Sequence, residues 1–582
     1  MAELYIDGVE GNDANDGTAA SPKQSVGTSV VDDFFSSNDT GSTVYVANTV
    51  RAGGDPLIIT TPTTNCAIRQ WPGRPKAVIR GDTPITGTWD DSAAPEYSID
   101  IGAGLGALVY VVEDWDTNLD SQGRHLGYMN AVPTSTLAAN DTFYDNVTGI
   151  LTIRCADDGN PNERSYSYSL LEDAGRITEP SGLTVEGVDF YLWGTFDDNA
   201  ADPNGCGVHF VDGTGCRVKG CDFIGCLAGG VSASCTDSAT TSDLIVSGCY
   251  FETAVQNRAL AVLGDDTGNS TYSGVVFEGC TFFANGTLDR AGEKTSGMAD
   301  ISSQKVCKAI RAAGTGITFA DIEIRNCHFD GYEDGDAMQL GTAAGAASDP
   351  ADWTTYPFRI VNCTGVRLRH GIFTGTASAI DVAVRFCNFD VPSINVGGTP
   401  SSATSNFAFG FSGDFLVESS SLSADTGDST TFCCMGATAT GNLILRNSAI
   451  YDVSTTPSSS KALIRCATTA SAIDSADSVW LLKAASRLVD VTTGSFTDSM
   501  VTLSGNAYHG YDPDDMSDSA SFSDEDEWAT LDATGIFATE LEQIAGDLDS
   551  FWDPDTQPDP YGWVARCRLL RYRRRRWRKV DR

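Results

Sequence analysis

The stretch IEIRNCHFDG, residues 322–331, alternates apolar and polar side chains, then gives a small turn residue, a cysteine and an aromatic. Near copies recur along the chain: RVKGCDFIGC at 217–226, LIVSGCYFET at 244–253, VVFEGCTFFA at 275–284 and VAVRFCNFDV at 382–391. Aligned on the cysteine, the phrase falls at Val188, Cys221, Cys249, Cys280, Cys327, Cys363, Cys387, Ser420, Ser448 and Asn506. The steps are 33, 28, 31, 47, 36, 24, 33, 28 and 58 residues. The 47 reads as one step plus an insertion, and the 58 as two steps with a degenerate copy between. A drifting period of about 30 residues marks a solenoid whose single coils cannot bury a core alone.

The coils are strands rather than helices. Each phrase carries period-two alternation, as in Ile322 and Ile324 or Val382 and Val384, and is rich in Val, Ile, Phe and Thr. Stacked coils make parallel sheets, in which equivalent side chains lie ~4.8 Å apart. A slot facing the interior then repeats at every level. Cysteine is small and content to be buried, so it forms one ladder beside a second of Phe223, Phe251, Phe282, Phe329 and Phe389. Val, Ser and Asn of similar size replace it. The spacing predicts about eleven coils.

These phrases resemble the repeats of the right-handed parallel β-helix of pectate-lyase-like proteins and phage tailspikes. The front agrees: LYIDGVEGNDANDGTAASPKQSV (4–26) is similar to the opening strand and Asp/Asn loop of such proteins, and VYVANTV (44–50) and PKAVIRGD (75–82) to their first coils. FYDNVTGILTIRCADDGNPN (143–162) resembles the hairpin that often precedes the main stack. The expected fold is all-β, a single-stranded right-handed parallel β-helix with an N-terminal cap and an irregular C-terminal region. The resemblance covers roughly residues 1–510 and is specific for fold, not activity.

The expected organisation is a cap and first coils at 1–100, irregular inserted strands at 101–180, and the main stack at 181–510. An acidic linker or C-terminal cap follows at 511–565, and an Arg-rich tail at 566–582. Polar insertions at 285–316, 341–357 and 396–406 are expected to gather on one face.

The formal net charge is −40. Such a surface favours solubility and argues against a broad nucleic-acid or anionic-membrane face. No signal peptide opens the chain and no apolar run is long enough to span a membrane, so assembly in a reducing cytoplasm is expected. Seventeen cysteines, an odd number thinly spread, do not make a disulfide framework. The five histidines, His125, His209, His328, His370 and His509, form no ligand cluster. The tail inverts the charge: ten Lys or Arg against one Asp give about +9, leaving about −49 on the rest. Arg573, Arg574, Arg575, Arg576 and Trp577 are its docking candidates, for other virion proteins or the acidic body itself; nucleic acid is the weaker option.

The densest carboxylate cluster is HFDGYEDGDAMQLG at 328–341, with Asp330, Glu333, Asp334 and Asp336 within seven residues. GDAMQL resembles a coil of pectinase-like β-helices in which acidic residues work in the cleft. Glycoside hydrolysis needs two carboxyls roughly 5–9 Å apart. The paired Asp on adjacent coils, the Gly-His-Gly and the Arg-x-Lys of that pattern do not stand out; RHGI at 369–372 is a partial echo. Loop turns built from Asp and Gly are the stronger reading of the cluster. A lyase would need a Lys or Arg base, and Lys305, Lys308 and Arg311 lie one coil earlier. Asp330, Asp334, Asp336 and Lys305 are thus the catalytic candidates. Trp193, Tyr332, Trp353 and Tyr356, in or beside loops, are the glycan-binding candidates. Asp13, Asn15, Asp16 and Gly17 have oxygen-ligand spacing for Ca²⁺, although a capping turn without an ion fits them slightly better. No other cofactor is indicated.

Three uses follow. The first is a virion surface protein of tailspike or fibre type, which binds bacterial surface glycan along the β-helix face and attaches to the particle through its basic arm. Homotrimers are what the resemblance implies. The second is a polysaccharide lyase or glycoside hydrolase. The third is a non-catalytic capsid decoration or adhesin.

Overall fold

The computed structural model describes residues 2–51, 57–105, 110–114, 117, 129–131, 135–155, 157–169, 175–192, 206–226, 229–236, 239–253, 259–264, 270–284, 308–312, 317–330, 336–340, 347–366, 370–374, 381–390, 406–411, 413–424, 435–437, 441–452, 458–481, 485–509 and 525–538. The chain forms two compact units, Met1–Arg311 and Ala312–Arg582. Each is a stretch of parallel β-helix whose coils stack strands into three parallel sheets, the third of which begins at Arg176 in the first unit.

In the first unit, sheet one stacks Glu3–Asp7, Thr43–Ala47, Ala67–Gln70, Thr184–Glu186, Arg217–Lys219, Ile245–Ser247 and Thr271–Glu278, all parallel. Sheet two stacks Thr49–Arg51, Ala77–Arg80, Val188–Tyr191, Asp222–Ile224, Tyr250–Thr253 and Thr281–Ala284. Sheet three stacks Arg176–Thr178, Val208–Val211, Val231–Ser234 and Ala259–Leu263. In the second unit, sheet one runs from Thr318–Arg325 through Phe358–Val361, Val382–Arg385, Asp414–Glu418, Asn442–Arg446 and Ala472–Ala476 to Val501–Ser504. Its sheet two runs from His328–Asp330 to Ile536–Ala538 and its sheet three from Asp336–Leu340 to Ala485–Thr493. Among the described residues no helix is long and apolar enough to cross a membrane.

The corner between sheets one and two explains the repeated phrase. The residue before the slot has positive φ in the copies of the phrase: +60° at Gly220 and Gly248, +61° at Gly279, +56° at Asn326, +52° at Asn362, +49° at Asn447 and +66° at Gly505. This left-handed kink turns the chain sharply and leaves the carbonyl two residues before the slot pointing inward. The slot side chain caps it: Cys221 Sγ donates to Lys219 O at 3.4 Å, Cys249 to Ser247 O at 3.4 Å and Cys363 to Val361 O at 3.4 Å. Ser420 and Ser448 donate to the matching carbonyls at 2.9 and 2.8 Å. The slot is therefore a hydrogen-bonding position. Serine replaces cysteine there because it is the better donor, and size is the lesser reason. The degenerate copy is Ser478, whose hydroxyl donates to Ala476 O at 2.9 Å.

The slot sulfurs at Cys221, Cys249 and Cys280 are buried. The neighbouring Cys249 thiol and burial push the Cys221 thiol well above the usual range, so it stays protonated and inert. The thirteen described cysteines are all buried, and none of them forms a disulfide. Beside them Phe190, Phe223, Phe251 and Phe282 stack at 5.4, 5.1 and 4.7 Å between centroids. In the second unit Phe329 and Phe389 close to 6.1 Å over the intervening Gly365. Adding a methyl group at Gly220 meets nothing within 4 Å, so Gly220→Ala isolates the corner's strain. A loss of about 1–2 kcal/mol in urea unfolding is expected; an unchanged midpoint would mean the kink is not required.

The inserted strands lie at 82–169 rather than 101–180. Ala77–Arg80 still pairs in the stack with Val188–Tyr191, and the stack resumes at Arg176. Between them lie a five-stranded and a three-stranded sheet, largely antiparallel. Trp89, Tyr97, Val111, Met129, Leu151, Ile153 and Tyr166 form their shared core. Helix Thr28–Ser37 buries Val31 and Phe35.

Candidate functional site

The solvent side of sheet two in the first unit gathers titratable groups in columns. One column carries Val78 and Asp189, then Asp222 and Tyr250, on successive coils; the next carries Arg51, Arg80, Tyr191, Ile224 and Glu252. Asp189 and Asp222 each follow the slot directly, so they point outward one strand step apart, ~4.8 Å at the backbone. Asp189 Oδ1 accepts the Asp222 N–H at 2.9 Å and the Lys76 ammonium at 2.9 Å. Asp189 is only 2% exposed, whereas Asp222 is half-open. Tyr250 donates to Glu252 Oε2 at 3.1 Å, and the Glu252 carboxyl is buried. At the other end, Arg80 grips Asp82 through two bonds of 2.8 and 2.9 Å, and Arg51 bonds the same carboxylate at 2.8 Å.

Burial pushes the Asp189 carboxyl up and the neighbouring Asp222 charge adds to it; Lys76 and the Asp222 N–H pull the other way. The result is a carboxyl at about 6. Asp222 is also raised, by burial against the opposing pull of Lys76. For Lys76, burial opposes the charge, but the bond to Asp189 and the surrounding carboxylates outweigh it and hold the ammonium above the ordinary lysine range. Tyr191 is raised by burial and by the Asp189, Asp222 and Glu252 charges. Up to about pH 6 the Asp189 carboxyl therefore keeps a proton beside the half-open Asp222 carboxyl and a fixed ammonium, the arrangement of an acid–base site.

None of these groups is among the sequence candidates. Asp330 and Asp336 lie in the second unit on different sheets, at the end of His328–Asp330 and the start of Asp336–Leu340, so no common column joins them. The backbone of Asp336 pairs with His370 of the next coil. Asp334, Lys305, Tyr332, Trp193 and Arg573–Trp577 lie outside the described residues. Tyr356 is not an exposed platform. It is 1% exposed, packs with Ala383 and Leu416, and donates its hydroxyl to Pro350 O at 2.9 Å. It anchors its loop. Trp353 is half-buried beside it, with the Arg385 guanidinium 5.1 Å above its ring. Asp13 Oδ1 accepts the Gln24 and Ser25 N–H groups at 2.9 and 2.8 Å. The Asn15 amide donates to Pro22 O, and Asp16 accepts from Thr18. The loop oxygens are thus turned onto its own donors, and among the described residues no three His, Cys, Asp or Glu side chains gather as a cation site. The signal for this cluster lies in the repeat: VDFY at 188–191 and CDFI at 221–224 set an Asp just after the slot in two successive coils.

No protein-family model and no curated protein matches the sequence. Solved structures do. A structure titled as the complex of XylC with xylose matches with a TM-score of 0.50 at 9% identity, over 93% of this chain and 86% of that one. A glycoside hydrolase matches with a TM-score of 0.46 at 11% identity, over 83% and 96%. A mutant tailspike protein of E. coli bacteriophage HK620, in complex with a hexasaccharide, matches with a TM-score of 0.38 at 12% identity, over 91% and 77%. At these identities the likeness is one of architecture, and it agrees with the strand pairing above: the chain is an all-β parallel β-helix.

Proposed function

We propose that this protein hydrolyses a polysaccharide at Asp189 and Asp222, as a tailspike-type surface protein of a phage particle. The stacked carboxylates carry the reading, because glycoside hydrolysis needs one protonated and one ionised carboxyl at close separation. Asp222, the open member, faces the sugar and is the catalytic residue. Asp189 beneath it is the positioning residue: it accepts the Asp222 N–H and retains the second proton. The glycosidic C1–O bond breaks as the leaving oxygen takes a proton from the pair. Water adds at C1 and returns a proton to the ionised carboxyl.

Lys76 favours hydrolysis over elimination. A lyase base must be able to lose its proton, whereas the Asp189 bond holds the Lys76 ammonium charged. XylC, of like fold, is titled as sugar-bound, and a glycan is the substrate class carried over here. The opposed charges of the tail at 566–582 and the acidic body support attachment to other virion proteins through the tail. The homotrimer belongs to the same proposal, as does a bacterial surface polysaccharide as target.

The test is incubation of the full chain with a panel of bacterial capsular polysaccharides and lipopolysaccharide O-chains. Shortened polymer and new reducing ends are expected, without the ultraviolet absorbance of an unsaturated uronate. That absorbance would mean elimination instead, and a panel left entirely uncut would end the enzymatic reading.

A further inference from the structure

The outer side of sheet three in the first unit carries a hydroxyl–imidazole pair that the carboxylate site on sheet two does not use. Strands Val208–Val211 and Val231–Ser234 pair in register, His209 with Ser232 and Val211 with Ser234. Phe210 and Ala233 fill the core, so alternation turns His209, Ser232 and Ser234 outward. His209 Nε2 and Ser234 Oγ lie 2.7 Å apart. The backbone around Ser234 is pinned: its carbonyl accepts the Asp212 N–H at 3.0 Å, and the Asp212 carboxylate takes the Thr236 N–H and hydroxyl at 2.8 Å each. His209 is buried, whereas Ser234 is only half-buried. Ser232 is 0% exposed, and its hydroxyl has no partner among the described residues. The coil does not require a hydroxyl there, because Val262 takes the same register position one coil on. A buried unpaired hydroxyl is destabilising, so an atom from outside the chain is its expected partner.

Burial pushes the His209 imidazole down to about 3, and the charge of Arg176, its register partner on the preceding coil, adds to the fall. The ring is therefore neutral around pH 7. With its proton on Nδ1, its Nε2 lone pair accepts the Ser234 hydroxyl. A serine hydroxyl bonded to a neutral imidazole is an activated nucleophile. Ser232, two residues earlier on the same strand face, offers a spare donor to the oxygen of a carbonyl attacked at Ser234. We infer that Ser234 is the nucleophile, and His209 its general base, of a second site that removes small O-acyl groups from a glycan. The glycan as carrier rests on the reading above; acyl transfer at Ser234 does not. Ser234 Oγ bonds to the ester carbonyl carbon while its proton passes to His209 Nε2. The bond from that carbon to the sugar oxygen breaks, and the sugar oxygen takes the proton. Water then adds to the acyl-Ser234 ester and gives a proton to Nε2. The Ser234 oxygen leaves, recovers that proton, and the carboxylic acid is released.

The experiment gives the full chain 4-nitrophenyl acetate, O-acetylated capsular polysaccharides and, separately, a fluorophosphonate. Nitrophenolate and acetate should be released, and the fluorophosphonate should modify Ser234, mapped by peptide mass. Ser234→Ala, which removes one oxygen, should lose both hydrolysis and label while melting as the wild type does. His209→Gln should slow hydrolysis by roughly 10²–10⁴-fold, the usual worth of a general base. Ser232→Ala should slow it by roughly 10²–10³-fold, the usual worth of one oxyanion donor. Labelling of the wild type needs no variant to fold, and acetate and new reducing ends are separate readouts, so this site and the carboxylate pair can fail independently. The nucleophile is overturned if the wild type hydrolyses no faster than buffer and takes no label, if the label sits on another residue, or if Ser234→Ala hydrolyses as the wild type does. Cleavage of the nitrophenyl ester with every polysaccharide left acetylated would keep the nucleophile and overturn the glycan as its carrier.

Discussion

Replacing Asp222 by Asn is expected to slow glycan cleavage by roughly 10²–10⁴-fold, the usual worth of a positioned acid–base group, with little change in stability. Asp189→Asn should behave differently, and the difference separates a working pair from a merely structural one. The Asp189 carboxyl is raised from 3.8 to about 6, so the native state holds a proton that the unfolded chain releases. A carboxyl raised on folding contributes stability that is fully present below 3.8 and lost as the pH rises through about 6. The rise amounts to roughly 3 kcal/mol at about 1.36 kcal/mol per pH unit, an upper figure for a side chain this deeply covered. Asp189→Asn removes that penalty. Above pH 6 the variant should melt higher than the wild type while cleaving more slowly, and the alkaline limb of its pH–rate profile near 6 should vanish. Melting curves and rates across the pH range check both. A variant that is less stable at neutral pH would show that the charged Asp189–Lys76 bond is a net stabiliser and would remove the reason for a retained proton.

The fold was legible because one corner makes the same two demands in each coil. A left-handed residue precedes the slot, and a small inward side chain, in most copies a donor, fills it. Gly220–Cys221, Asn362–Cys363 and Asn447–Ser448 are three spellings of one geometry. Phe386 and Ser419 pass through the same corner at φ of +57° and +50° without the usual residue types, which is why spacing located those copies better than composition did. The candidate site was harder to see. Local carboxylate density points to Asp330–Asp336, whereas a β-helix assembles its columns from residues about one period apart. Asp189 and Asp222 are 33 positions apart, and Lys76 joins them across the whole 82–169 insertion. Nothing in the periodicity announces that contact, because the insertion removes the intervening coil spacing. Tyr356 failed as a surface aromatic for a related reason. Its loop folds back on Ala383 and Leu416, two outward positions that happen to be apolar.

Asp532→Ala is expected to open the C-terminal end of the second unit. Each coil's exposed backbone is normally satisfied by the next coil, and the last coil has to find another partner. Asp532 stands in for it. Its carboxylate, 1% exposed, accepts the Gly505 N–H at 2.9 Å, the Asn506 N–H at 3.0 Å, the Asn506 side-chain amide at 2.9 Å and the Tyr508 hydroxyl at 2.9 Å. Asn506, in the slot, passes the order inward: its Oδ1 accepts the Ser478 N–H at 3.1 Å and the Ser475 hydroxyl at 2.7 Å. Helix Glu525–Leu531 supplies Trp528, which stacks on Phe496 at 5.4 Å and meets Trp480 and Tyr508 edge-on at 6.5 and 6.2 Å. Removing the carboxylate strands the Asn506 N–H and the Tyr508 hydroxyl, each worth about 1–3 kcal/mol when unpaired, while the Gly505 N–H keeps Thr534 Oγ1 at 2.8 Å and the Asn506 amide keeps Ser475 O at 3.0 Å. After relaxation the expected loss is roughly 3–5 kcal/mol, the size seen when one partner of a buried charged cluster is deleted. Asp532→Asn should be nearly as costly, because its amide would face the Asn506 and Tyr508 donors. Hydrogen exchange should then accelerate first at residues 501–509 and 525–538, with the stacked phenylalanine coils of the first unit still protected. An unfolding free energy within about 1 kcal/mol of the wild type, with those amides still slow, would mean the terminal coil is sealed by the tryptophan cluster, because only apolar cover could then be keeping water from the unpaired Asn506 N–H and Tyr508 hydroxyl.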